Sequence, residues 1–164
     1  MAFNSPKDLF VHELSMMYDG EKKIAQMLDE IAGQVENQTL IQMLQTHKEE
    51  TQHQAKNLEQ CFQRIGESPR QVPCGVVKTI HNEFKEFVKQ NPSSDVLTMF
   101  AISGATKTEH FEIATYRGLV CKAMLMGDAE CTSLLEANLL QEEETASKLE
   151  RFAHELGQQM LAPA

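Results

Sequence analysis

Residues 102–123 read ISGATKTEHFEIATYRGLVCKA. In this stretch Ile102, Ala105, Glu109, Glu112, Tyr116, Leu119 and Ala123 recur at steps of three and four, the spacing of a single helix face. Two glutamates therefore sit on a face that is otherwise apolar. Ala101, Ser103, Gly104 and Ala105 are small enough to let a neighbouring helix come close. The capping cluster Ser93-Ser94-Asp95 opens this helix and Gly127 closes it.

Three further long helices follow from the same reading. Ser5-Pro6-Lys7-Asp8 is a start signal, with a cap, a proline suited to the first turn and an acidic residue at the positive end. The helix runs to Gly33 with the stripe Phe10, Leu14, Met17, Glu21, Ile24, Leu28, Ile31. A second helix spans Asn37 to Gly66. It is apolar at its ends, at Leu40, Met43, Leu44, Leu58, Phe62 and Ile65, and polar at its centre, at His47, Glu49, Glu50 and His53. The last runs from Asp128 to Gly157, with Cys131, Leu135, Asn138, Glu142, Thr145, Leu149, Phe152 and Leu156 on one side. Residues 67–92 form a long connection. It contains a short amphipathic helix around Val76, Val77, Ile80, Phe84, Phe87 and Val88. Four helices in two hairpins joined by one long crossover describe an all-α four-helix bundle, one domain over residues 1–164.

Every long helix carries glutamate on or toward its inner face: Glu21, Glu50, Glu109 with Glu112, and Glu142. Counted from the helix ends, all lie near mid-bundle. In the triplet Glu142-Glu143-Glu144 only the first falls on the stripe. Unpaired buried carboxylates cost on the order of several kcal/mol each. The stripes hold too few basic residues to neutralise five of them, so the carboxyls are protonated or cations are present. Hard divalent metals held by carboxylate and imidazole are the economical answer. His53, three residues after Glu50, is expected on the same face. His47, one turn before Glu50, is expected to support the site, as are His110, Tyr18, Tyr116 and Thr145. His12, His81 and His154 read as surface residues.

Composition narrows the function classes. Lys+Arg is 15 and Asp+Glu 24, a formal charge of -9, which disfavours a nucleic-acid groove. No apolar run approaches the ~20 residues that span a bilayer. Met1 to Asp8 lacks a basic segment followed by an apolar one, so a cytoplasmic location is expected. The four cysteines, Cys61, Cys74, Cys121 and Cys131, form no Cys-x-x-Cys pair and read as free thiols.

This constellation resembles the ferritin-like superfamily of di-iron and di-manganese carboxylate proteins. Asp8-Leu9-Phe10, Tyr18-x-x-Glu21-Lys22, Glu49-Glu50-Thr51 and Glu109-His110-Phe111-Glu112-Ile113-Ala114-Thr115-Tyr116 look more narrowly like its YciE/YciF-type stress-protein branch. The resemblance implies two iron ions, with manganese as the alternative. Glu21, Glu50 and His53 would form one half of the ligand set, and Glu109, Glu112 and Glu142 the other. The chain departs from the general pattern at Thr145, where a second histidine ligand would stand. The implied activity is reduction of peroxide or dioxygen, or oxidation of Fe(II), in a bacterial stress response. A homodimer and a small oxidant are the expected partners, with neither nucleic acid nor membrane. The competing expectation is a non-catalytic helical interaction protein whose metal site is structural or vestigial. No pair of Cys-x-x-Cys motifs supplies an attached electron donor. The absence of a long helix after Gly157 argues against a ferritin cage.

Overall fold

The computed structural model describes residues 3–161. It contains α1 (Pro6–Ala32), α2 (Gln38–Arg64), α3 (Gly75–Val88), α4 (Ser94–Leu125) and α5 (Ala129–Leu161), with no strand among the described residues. The four long helices and the crossover helix α3 are those the sequence predicts.

Their ends have local causes. Ser5 caps α1 by accepting from the Asp8 backbone N–H, while Asp8 accepts in return from the Ser5 N–H, a reciprocal capping box. The Asn37 side chain caps α2 through the Leu40 N–H. Gly66 and Gly127 adopt φ values of 69° and 74°, which a side chain would disfavour. At each glycine the chain turns back on its own helix. The N–H of Glu67 reaches the Phe62 carbonyl, and that of Asp128 reaches the Ala123 carbonyl. One boundary differs from expectation: α5 continues through Gly157 to Leu161. Gly157 is part of a regular helix, and a mid-helix glycine costs only about 1 kcal/mol.

α1 packs on α2 and α4 on α5, two hairpins brought together mainly through α2 against α5 and α1 against α4. The crossover helix α3 covers α4 and α1, burying Val77 and Phe84 and stacking Phe87 on Phe100. The core falls into two apolar halves. One contains Ile24, Leu28, Leu40, Leu44, Ile102 and Leu149. The other contains Phe10, Leu14, Met17, Leu58, Phe62, Leu119 and Leu135. Between them, on every long helix, lies a polar layer: Glu21, then His47 to Gln54, then Thr108 to Glu112, then Asn138 to Thr145. Each fully buried Leu, Ile or Phe is worth about 1.5–3 kcal/mol. The two apolar halves therefore supply the stability that lets the chain hold an unfavourable layer at its centre. No described helix is long and apolar enough to cross a membrane.

Candidate metal centre

On α1, α4 and α5 the apolar stripe carries a glutamate to the bundle axis in the register expected, and Glu21, Glu109, Glu112 and Glu142 are all buried. On α2 the register corrects the expectation. Leu40, Leu44, His47, Thr51, Gln54, Leu58 and Cys61 are buried in an unbroken run of three- and four-residue steps, with Phe62 beside the last of them. His47 is on this stripe. Glu50 lies 60° to one side at 100° per residue, and its side chain is 26% exposed. His53 lies 120° away and points to solvent, next to Lys56 and Gln60.

His47, Glu109, Glu112 and Glu142 can each offer one ligand atom such that all four atoms lie within 4.8 Å of one another. His47 Nε2 is 3.3 Å from Glu109 Oε1, and its Nδ1 is 4.0 Å from Glu50 Oε2. Both oxygens of Glu112 and Glu142, and one each of Glu109 and Glu21, are buried without a hydrogen-bond donor, as are both His47 nitrogens. Buried polar groups are almost always partnered, so this concentration of orphaned atoms has to be balanced by protons or by a cation.

The electrostatics agree. Burial, reinforced by neighbouring carboxylates, drives the carboxyl groups of Glu109 and Glu112 well above their ordinary range. Burial raises Glu21 similarly, with Glu142 adding to the effect and a hydrogen bond from Tyr116 opposing it. Glu142 is pushed up to about 7, chiefly by burial. His47 is pushed down to about 4 by burial, with Lys148 adding to the effect. A neutral imidazole beside three clustered carboxyls is a nitrogen and oxygen donor set suited to a divalent cation of the iron, manganese or zinc kind.

The supporting residues divide. Tyr116 donates its hydroxyl to Glu21 Oε1 and accepts from Asn138 Nδ2 at 2.9 Å. Thr145 Oγ1 donates to Glu50 Oε2 at 3.4 Å. Tyr18, in contrast, donates to Glu59 at 2.6 Å on the outside of the α1–α2 hairpin. His110 is exposed and pairs with Glu150 at 2.9 Å. Both therefore face away from the layer. Gln54 is a polar member of the layer that the sequence pattern does not single out, and Asn138 lies on the inner stripe as expected. Asn138 Nδ2 also donates to the Gln54 carbonyl at 3.3 Å, tying α5 to α2 beside the carboxyls. Extending the Leu40–Leu44 spacing toward Leu58 would have placed Gln54 inside. A cleft of about 240 Å³ between α2 and α5, lined in part by Thr46, His47, Glu50, Thr145 and Lys148, opens the layer to solvent.

Fold and layer together define a four-helix bundle with a carboxylate-rich core. Residues 5–162 match the family described as a domain of unknown function, DUF892, and the chain belongs to this YciE/YciF-type family. Protein YciF of Escherichia coli (strain K12) is 29% identical over 154 residues, 93% of each chain. The crystal structure of the E. coli stress protein YciF superposes with a TM-score of 0.90 at 28% identity, over 94% of this chain and 98% of that one. YcfI of Rhodopseudomonas palustris, for which a structural role has been suggested, gives 0.86 at 30% identity, over 92% and 97%. A Xanthomonas campestris protein at 24% identity and a TM-score of 0.75, covering 96% of each chain, shares the fold.

Proposed function

We propose that this protein binds divalent iron, with manganese as the alternative, in its mid-bundle layer and reduces a small oxidant there. The observation that carries this reading is the buried group of His47, Glu109, Glu112 and Glu142, whose ligand atoms converge without donors of their own. These four residues would hold one ion. Glu21 and Glu50 flank the group from α1 and α2 and are the carboxylates available to a second. A pair of Fe(II) ions supplies two electrons to peroxide or dioxygen. The chain's own contribution is positional. Tyr116 fixes Glu21, Thr145 steadies Glu50 at the cleft, and the two apolar halves close the layer along the bundle axis, leaving the α2–α5 cleft as its opening. The stress-protein description of E. coli YciF supports a stress-response setting for this chain. Elemental analysis of the purified protein, followed by peroxide consumption after Fe(II) loading, tests the proposal. One to two ions per chain and catalysed loss of peroxide are expected.

A structural metal is the second reading. His53 on the outer face and Thr145 in place of a histidine leave His47 as the layer's one imidazole, a lean nitrogen supply for two ions. Stoichiometric metal, a raised melting temperature and no peroxide loss above that of free Fe(II) would favour it.

A further inference from the structure

A second reactive cluster lies away from the carboxylates. Cys61 is in the last turn of α2 and Cys131 in the first turn of α5, and both are fully buried in one apolar half of the core. Cys61 Sγ donates to the Cys131 carbonyl oxygen at 3.8 Å, and the two thiols lie close enough that each shifts the other's ionisation. Cys61 follows Glu50 by 11 residues and Cys131 precedes Glu142 by 11, about 16 Å along each helix. The pair is thus outside the coordination sphere of the layer. The other two cysteines are separate: Cys74 is buried in the opposite half of the core and Cys121 is exposed.

We propose that Cys61 and Cys131 are a redox-active dithiol that closes to a disulfide under peroxide and joins the end of α2 to the start of α5. Cys131 is the attacking sulfur. It sits in the first turn of α5, where backbone dipoles favour a thiolate, and the Cys61 sulfur lies against the Cys131 backbone. The neighbouring Cys61 holds the Cys131 thiol below the ordinary range, and Cys131 in turn pushes the Cys61 thiol up. The Cys131 thiolate attacks one oxygen of hydrogen peroxide and the O–O bond breaks. The departing hydroxide takes up the proton that Cys131 gave up and leaves as water, and a sulfenic acid remains. The Cys61 sulfur then attacks the sulfenic sulfur, the S–S bond forms, and the released hydroxide leaves as water with the Cys61 proton. Two thiols lose two electrons and one peroxide becomes two waters. Both cysteines lie in terminal turns, the parts of helices that open most readily. The clasp over them is Arg64, paired with Asp128 at 3.0 Å and with Glu130.

This proposal stands apart from the metal reading, and one sample tests it. The reduced protein is treated with one equivalent of hydrogen peroxide, denatured in acid, alkylated and mapped by mass spectrometry. The four alkylatable thiols should fall to two, with a cross-linked peptide joining positions 61 and 131, reversed by dithiothreitol. The double variant C74S/C121S should still lose both of its thiols. Four thiols surviving peroxide, or a disulfide containing Cys74 or Cys121, would overturn the assignment. Metal content measured on the same protein should be unchanged by closure, so failure of the dithiol and failure of the metal site are read separately.

Discussion

Burial acts in opposite directions on His47 and on the carboxyls around it. The imidazole loses its proton and becomes a free donor, while Glu109, Glu112 and Glu142 keep theirs. A divalent cation replaces those protons, so metal binding near neutral pH should release them. Calorimetric titration in buffers of different ionisation enthalpy would register the release. The α2 register makes a sharper test. His47→Ala should strip metal, and His53→Ala should leave metal content unchanged; equal loss from both would put the inner face of α2 elsewhere. On the same logic Glu50→Ala should lower metal content more than Glu143→Ala. Glu143 pairs with Arg117 at 2.6 Å on the outer surface. Tyr116→Phe leaves Glu21 without its donor, and loss of such an orienting hydrogen bond weakens metal affinity about 10–100-fold. Dialysis against a competing chelator measures it. At this scale the sequence spoke clearly for the four glutamates on apolar stripes. At His53 it misleads, because the Glu-x-x-His spacing competes with the leucine spacing on either side and the leucines set the inner face.

Helix ends are set by residues that sequence alone exposes, and their energetic weight can be checked one by one. Gly127 is the left-handed residue from which the chain turns into α5, so Gly127→Ala forces a side chain into that conformation and should cost about 1–2 kcal/mol in urea unfolding. Gly157→Ala, inside regular helix, should instead stabilise by about 1 kcal/mol or less. The two glycines look alike in the sequence, each preceded by an amphipathic run. What separates them is that capping hydrogen bonds turn the chain back at Gly127 while the α5 backbone continues beyond Gly157. That distinction depends on φ, which periodicity does not report. The crossover helix was legible for the opposite reason: Val77, Ile80, Phe84 and Phe87 repeat at three- and four-residue steps with no competing signal.

For the molecule as a whole, the central layer should make the metal-free protein's stability depend on pH in an unusual direction. Glu21, Glu109, Glu112 and Glu142 all have folded values above the 4.5 of a free glutamate. Folded protein therefore binds more protons than unfolded chain. Their contribution is fully present below pH 4.5 and is lost as pH rises through the raised folded values, about 7 for Glu142. His47 works the other way. Its value falls from 6.5 to about 4 on folding, so its contribution is lost as pH falls through that interval. One imidazole against four carboxyls leaves the carboxyls in control, and above pH 6.5 the imidazole no longer opposes them. Each proton retained only by the folded state tilts stability by about 1.4 kcal/mol per pH unit. Between pH 6.5 and 7.5 the melting temperature of chelator-treated protein should therefore fall. In the metal-loaded protein the cation supplies the compensating charge and the profile should be flat over the same interval. Coincident profiles for the two forms would mean that Glu21, Glu109, Glu112 and Glu142 do not form one buried, cation-binding cluster.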